Sequence, residues 1–371
     1  MNRRKFISST ILATAAGGIA TAYADGRPLG LGGAQNAAAA SDNTGAHTVS
    51  KLHTITLEEH YVSPVFLAGP GQEMLTSKDP HVQATNGLLR DVGAGRIALM
   101  DQSGIDVQVL SHSPGLEQLE ADVQVPMVRD VNDFLHDAVS KYPARLGGFA
   151  SLCTEAPDQA AKELEKRMNA GFKGAIINGH SRGRYLDDKF FWPMLEAAEH
   201  LDAPIYLHPT QPPKAIVDTY YSGFSPGTSF LFSMPGCGWH YETGIHLTRM
   251  ILGGVFDQFP NLKIVIGHMG EGLPFWLPRM DSAMFQGMTK LKQPISAYLR
   301  QNVYYTFSGF NFLPNFIILE SQMGIEDRIM FSVDHPYGSM TEARLFLESL
   351  PISPADRDRI AHKNAERLFR M

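Results

Sequence analysis

A chain of 371 residues with 44% hydrophobic and 19% charged content carries enough apolar material for a large buried core, which excludes a disordered or fibrous composition. Its 38 acidic and 32 basic residues leave a formal charge of −6 with no basic cluster along the chain, so a nucleic-acid partner is not expected. Two cysteines, Cys153 and Cys237, exclude a disulfide scaffold and a thiolate zinc cluster, so any bound metal has to rely on histidines and carboxylates.

At the N-terminus, Arg3-Arg4-Lys5-Phe6 precedes an apolar run from Ile7 to about Ala20 and then Ala22-Tyr23-Ala24, a small-x-small cleavage pattern. This order reads as a twin-arginine signal peptide over residues 1–24, which implies export of a folded, metal-loaded protein to the periplasm. The apolar run falls short of the ~20 residues that cross a bilayer, so no stable membrane insertion is expected after cleavage. Residues 25–50, rich in Ala, Gly, Asn and Ser, read as a flexible leader, and 51–371 as the folded domain.

From there, eight short runs rich in β-branched or aromatic residues follow one another at 54–60, 106–112, 146–152, 172–179, 204–209, 263–270, 303–309 and 329–336. Several are continuously apolar, as parallel strands buried on both faces have to be. Segments of helical period lie between them, at 123–141, 157–170, 190–200 and 241–259 among others. Eight strand-then-helix units over this length predict an α/β fold, a (β/α)₈ TIM barrel. Ser353-Pro354-Ala355-Asp356 predicts the start of the last helical segment, with a capping serine before proline and an acid in the first turn. The segment 211–238, rich in Pro, Gly, Ser and aromatics, is too long for an ordinary connection, so an inserted loop after strand 5 is expected to form a lid or one wall of the pocket.

Chemistry in such barrels belongs to the C-terminal ends of the strands. The first run closes with Glu58-Glu59-His60, the fifth with His208-Pro209, the sixth with His268-Met269-Gly270-Glu271 and the eighth with Asp334-His335-Pro336. Residues i and i+2 of a strand share a face, so Glu58 and His60 point to one side and Glu59 to the other. Two carboxylates with two or three imidazoles make a mixed nitrogen and oxygen donor set that suits one divalent ion, zinc or manganese, with positions left for water or substrate. A lone strand-end histidine is usually a hydrogen-bonded structural residue, and a lone aspartate there usually caps the next helix. Four strand ends that each deliver a ligand type point instead to a metal site. His112 also ends a strand and reads equally as a neighbour of that site or as neither; His180 and His246 read as surface or core residues.

Leu57-Glu58-Glu59-His60, Leu207-His208-Pro209, Gly267-His268-Met269-Gly270-Glu271-Gly272-Leu273-Pro274, Arg328-Ile329-Met330-Phe331-Ser332-Val333-Asp334 and Asn364-Ala365-Glu366-Arg367-Leu368-Phe369 resemble the amidohydrolase-related decarboxylases, in particular the γ-resorcylate and 2,3-dihydroxybenzoate decarboxylases. The likeness runs from about Thr54 to the C-terminus. It implies that Glu58, His60, His208 and Asp334 bind the metal, that His268 is a catalytic histidine partnered by Glu271, and that Arg279 lies near the substrate. His335, Tyr337-Gly338-Ser339 and the insertion containing Tyr220, Tyr221 and Phe224 depart from the family pattern, and these departures bear on the pocket wall and so on the substrate.

The resemblance implies non-oxidative loss of CO₂ from a hydroxylated aromatic carboxylic acid. The metal would chelate the carboxylate and an ortho hydroxyl, Asp334 would protonate the carboxyl-bearing carbon, and His268, oriented by Glu271, would take or relay the phenolic proton. The same site could hydrolyse an ester, lactone or amide, with Asp334 as base and His268 stabilising the oxyanion. A metal-loaded periplasmic binding protein is a third reading, against which the His268-x-x-Glu271 pair speaks because binding alone needs no proton relay. The family also implies a homo-oligomer, a dimer or tetramer.

Overall fold

The structure, a computed structural model, describes residues 52–371; the signal expected over 1–24 and the leader over 25–50 lie outside the described residues. Each of the eight runs contains strand. In chain order these are β1 (Ile55–Tyr61), β2 (Val107–His112), β3 (Leu146–Gly148), β4 (Ala150–Ser151), β5 (Ala175–Asn178), β6 (Ile205–His208), β7 (Ile264–Ile266), β8 (Val303–Thr306) and β9 (Ile329–Met330). β3 and β4 are two halves of one barrel strand, broken at Phe149, so β6 is the fifth strand of the barrel.

All pairings are parallel, β1 to β2 to β3 in one sheet and β4 through β9 in another. The break at Phe149 joins the sheets: its N–H donates to Leu110 O at 2.9 Å, and the next residue's donates to Gly174 O at 2.9 Å. At the other seam Leu57 pairs in parallel with Ser332, and His60 N donates to His335 O at 2.7 Å. Those bonds close the sheet on itself, which leaves no edge strand unpaired.

Closure gives the core two compartments. Inside the barrel, Ile55, Leu57, Val109, Phe149, Ile176, Tyr206, Val265 and Met330 pack together, with Leu368 and Phe369 of the C-terminal helix Asn364–Phe369 beneath them. Outside, the alternate strand residues, such as Leu110, Ile177, Leu207, Ile266 and Phe331, pack against the surrounding helices. The outward face is as apolar as the inward one because helices cover it, hence the continuous apolar runs. Among the helices, Ala121–Lys141, Pro157–Asn169 and Trp192–His200 follow the expected segments closely, and the expected 241–259 becomes Gly238–Leu252 and Val255–Gln258, split at Gly253-Gly254. Helix Pro354–Asp358 is capped as expected, with Ser353 Oγ accepting from Asp356 N at 3.1 Å.

The insertion after β6 folds into a short turn of helix at Lys214–Ile216, a wider turn over Val217–Tyr221 and the helix Pro226–Ser233. It is a wall. Pro212, Pro213, Val217 and Met234 line a cavity over the barrel mouth, whereas Tyr220 and Phe224 are exposed and Tyr221 packs on Phe232. The aromatic residues singled out from the sequence therefore stiffen or decorate the insertion, and its prolines and aliphatic side chains face the pocket.

Two buried histidines outside the site contribute to the loss of stability in acid. His112 Nδ1 donates to Ser113 O at 2.8 Å and its Nε2 accepts from Ser63 N at 3.3 Å, so it is a structural residue of the strand end. His246 Nε2 accepts from Leu186 N at 2.9 Å. Burial pushes His112 down to about 4 and His246 down to about 3, from an ordinary value of 6.5. A depressed folded value means that the unfolded chain takes up protons first as pH falls. The stability that the neutral rings contribute is present above pH 6.5 and is lost between 6.5 and the folded values, about 3 kcal/mol for His112 alone at ~1.4 kcal/mol per unit. A His246→Asn variant, which keeps an acceptor, is expected to move the acid-unfolding midpoint followed by circular dichroism to lower pH.

Candidate metal centre and active site

β1 carries the first two ligands on an irregular piece of strand. Thr56 pairs with Gln108 and Glu59 with Leu110, so Leu57 and Glu58 together oppose Val109, which is a β-bulge, with Glu58 at φ +63°. Strict alternation would not put Leu57, Glu58 and His60 all inside the barrel; the bulge does. A left-handed glutamate costs on the order of 1 kcal/mol or more and persists only where its surroundings hold it. Here they do. Glu58 Oε2 takes hydrogen bonds from the hydroxyls of Tyr206 and Ser308; Tyr206 OH also lies 2.6 Å from Thr306 Oγ1, and Ser308 Oγ 3.0 Å from Ser332 Oγ. Gly267 leaves room for this carboxylate, since a Cβ there would stand 2.6 Å from Glu58 Oε2.

Glu59 points the other way, as expected, and ties the seam of the barrel. It accepts from Val333 N at 3.0 Å, His335 N at 3.3 Å and Gln108 Nε2 at 3.1 Å, thereby clamping the backbone on both sides of Asp334. The fully buried Arg96 donates to Gln108 Oε1 at 3.3 Å and to the backbone oxygen of His60 at 2.6 Å. Both ends of the ligand set are thus pinned from outside the barrel.

The structure brings Glu58, His60, His208 and Asp334 together. Their ligand atoms all lie within 4.8 Å of one another, with His60 Nε2 to His208 Nε2 at 3.1 Å, His208 Nε2 to Glu58 Oε1 at 3.2 Å and His60 Nε2 to Asp334 Oδ1 at 3.2 Å. Around a tetrahedral ion with bonds of ~2.1 Å, neighbouring donors stand about 3.4 Å apart, so these spacings fit one divalent cation. Glu58 Oε1 and Asp334 Oδ1 are buried without a hydrogen-bond partner. Orphan buried carboxylate oxygens facing imidazole lone pairs are costly unless a cation sits between them. Ser111 Oγ, 3.4 Å from His60 Nδ1, supports the ring from behind.

Burial alone would raise Glu58, but the imidazoles of His268, His208 and His60 outweigh it and bring its carboxyl down to about 2. Asp334 goes the opposite way: burial, and then the charge of Glu58, push it well above the ordinary carboxylate value. Burial and the protein's own charges thus push the two carboxyls in opposite directions, and a cation between them would lower both.

His268 stands beside the ligands, its Nε2 3.8 Å from Glu58 Oε1, and its Nδ1 is 2.7 Å from Glu271 Oε1. The Gly-His-Met-Gly-Glu-Gly stretch makes this pairing possible by a run of left-handed residues at His268, Met269, Gly270, Glu271 and Gly272. Glu271 has a second partner that the sequence did not reveal: His240 Nδ1 lies 2.6 Å from Glu271 Oε2, and Trp239 Nε1 donates to His240 Nε2 at 3.0 Å. One buried carboxylate thus holds two imidazoles. His240→Ala is expected to lower kcat by about 10- to 100-fold by loosening Glu271, with metal content unchanged, as steady-state kinetics and metal analysis of the same preparation would read out.

Arg279 is not brought to the site. It is exposed on the helix Leu273–Ala283, whose buried face is Leu273, Pro274 and Leu277, and it lines neither cavity beside the cluster. His335 also stays out of the cluster, and His180 is spent on Gln211 O at 3.1 Å and Gly183 N at 2.9 Å. Two cavities flank the site. One, of about 370 Å³, is bounded by His240, His268, Glu271, Phe310 and Trp276; the other, of about 490 Å³, by Trp239, Tyr337, Met234, Phe66 and Met74 among others. Tyr337 packs 5.6 Å from His60 and Trp239 6.5 Å from His208, ring centre to ring centre, so these two rings stand between the ligands and the larger cavity.

Comparison with known proteins agrees with this geometry. Residues 79–371 match the profile of the amidohydrolase family. The chain is 34% identical to the γ-resorcylate decarboxylase of Polaromonas sp. (strain JS666) over 330 residues, 85% of this chain and 98% of that protein. The crystal structure of a dihydroxybenzoic acid decarboxylase from Polaromonas sp. JS666, with bound manganese and the inhibitor 2-nitroresorcinol, superposes with a TM-score of 0.78 at 34% identity, covering 86% of this chain and 97% of that one. The 5-carboxyvanillate decarboxylase from Sphingomonas paucimobilis superposes at 0.79 with 32% identity, over 86% and 99%. By profile, identity and fold, the chain belongs to the amidohydrolase family.

Proposed function

We propose that this protein is a metal-dependent, non-oxidative decarboxylase of a hydroxylated aromatic carboxylic acid. The observation that carries the reading is the convergence of Glu58, His60, His208 and Asp334 beside the His268–Glu271 pair, in a chain similar throughout its barrel to aromatic-acid decarboxylases. These four residues would hold one divalent ion, zinc or manganese, and manganese is what the Polaromonas relative binds. When bound, such an ion offsets the charge of a carboxylate and an adjacent phenolic oxygen and fixes the ring in place.

The chain's own groups supply the rest. Loss of CO₂ leaves an electron pair on the ring carbon, so that carbon has to be protonated before or as the bond breaks. Asp334 would deliver that proton, taken up as the substrate binds, because a bound cation counteracts the upward push of burial on its carboxyl. His268, fixed by Glu271, holds or moves the proton of the phenolic oxygen, and a deprotonated ring oxygen raises the electron density where Asp334's proton lands. Trp239 and Tyr337 line the cavity beside the site, where a bound ring would displace water and strengthen each of these interactions.

Assay of the purified, metal-analysed protein against hydroxybenzoates for CO₂ release, and against lactones for hydrolysis, tests the reading. Lactone hydrolysis without CO₂ release would transfer the site to the runner-up chemistry. Export to the periplasm through the twin-arginine signal of residues 1–24 and assembly as a homodimer or tetramer belong to the same proposal. The first rests on Arg3-Arg4 and Ala22-Tyr23-Ala24; the second is supported by the exposed Phe275, Trp276, Leu313 and Ile317 on two of the barrel's outer helices. Cell fractionation and light scattering check them.

A further inference from the structure

We propose that the acid taken by this site carries a bulky, uncharged, apolar substituent on the ring edge opposite its carboxyl group; the inference rests on the decarboxylase reading above. With the carboxylate and ortho hydroxyl turned to the ligand cluster, the para carbon of the ring would point away from it, and the larger cavity, walled by the Tyr337 and Trp239 rings that pack on His60 and His208, is the space that would receive it. That cavity has a volume of about 490 Å³. At ~30 Å³ for a water-sized atom it holds about sixteen non-hydrogen atoms, against about eleven in a dihydroxybenzoate. A single unsubstituted ring leaves its outer part unfilled.

The cavity's apolar lining comes from this chain's own insertion and from the segment that follows β1. Beyond Trp239 and Tyr337 the lining runs through Met234, Phe66, Met74 and Val217, with Pro212 and Pro213 beside them. Charged side chains reach the lining only at Glu73, Arg182, Lys214 and Asp218. The two cations are already paired: Arg182 with Glu120 at 2.5 Å and Glu155 at 3.6 Å, Lys214 with Asp218 at 2.6 Å. His180 has both ring nitrogens engaged by backbone groups, and burial lowers its pKa, which keeps it neutral. A second carboxylate on the substrate would meet two acids and no cation free of its own anion. An alkyl or aryl group would meet Phe66, Met74, Val217 and Met234, which gain from losing water.

The test compares 2,6-dihydroxybenzoate, its 4-pentyl derivative and its 4-carboxy derivative on the metal-loaded enzyme, by CO₂ release. The pentyl acid is expected to exceed the unsubstituted acid in kcat/KM by about 10-fold or more, and the carboxy acid to fall below it by a similar factor. Val217→Trp and Met74→Trp, which fill the outer cavity, are expected to bring the pentyl to unsubstituted ratio down to about one. Turnover of the unsubstituted acid with no gain from the pentyl group, or with preference for the carboxy acid, overturns this inference and leaves the decarboxylase reading standing. No CO₂ from any of the three overturns both.

Discussion

Asp334→Asn is expected to reduce kcat for CO₂ release by about 100- to 10,000-fold while the aromatic acid still binds. Asparagine keeps an oxygen where Asp334 Oδ1 faces His60 Nε2 at 3.2 Å, so the ligand cluster retains its geometry. What it lacks is a transferable proton. Burial and the neighbouring charge of Glu58 push the Asp334 carboxyl up, a bound cation would pull it down, and the proton it delivers to carbon is therefore one taken up as the substrate binds. Single-turnover kinetics together with calorimetric binding of the acid separate the two effects. More than a tenth of wild-type turnover in the variant would place the proton donor elsewhere.

His208→Ala is expected to remove both the ion and the activity. The ring sits between its partners, 3.1 Å from His60 Nε2 and 3.2 Å from Glu58 Oε1, so its loss opens the donor set on one whole side. Metal analysis should fall from about one ion per chain to well below, with kcat/KM lower by about 1,000-fold or more, since an interaction of the ion with developing charge contributes several kcal/mol. The stability readout is independent of catalysis. An ion that binds only the folded chain stabilises it by about 2.7 kcal/mol at a free concentration 100 times Kd. A chelator should therefore lower the Tm of the wild type by several degrees and leave that of His208→Ala nearly unchanged. Equal shifts in both would mean that the ion sits elsewhere.

The barrel was legible because its strands are buried on both faces. Lys-Ile-Val-Ile at 263–266 or Ala-Ile-Ile-Asn at 175–178 has no polar alternation to confuse with an exposed hairpin, and both are strands of the barrel. The ligand types were legible because a barrel delivers its chemistry at strand ends, where Glu58, His60, His208, His268 and Asp334 all stand; that four of these form the ligand set was implied by the resemblance to the family. His240 was not, for a reason of the same kind. It opens the helix Gly238–Leu252 after an irregular insertion, so no strand end marks it, and only its 2.6 Å approach to Glu271 reveals its part. The hydroxyls of Tyr206, Thr306, Ser308 and Ser332 were equally silent, since each residue is common in strands and acquires meaning only around the Glu58 carboxylate. Arg279, placed near the substrate by likeness to the family, is exposed on its helix within the single chain.

From its order of residues alone, the chain specifies a closed array of parallel strands and a set of candidate ligands at four strand ends, because burial on both faces and the strand-end rule act locally and leave a one-dimensional pattern. Which of those groups share an ion, which carboxyl keeps its proton, and what fills the space above them are set by distances between residues as far apart as 58 and 334. Those depend on the bulge in β1, the seam bonds of Glu59 and the packing of the insertion, and pairwise electrostatics at 3 to 4 Å has no signature in sequence until the fold has brought the groups within that range.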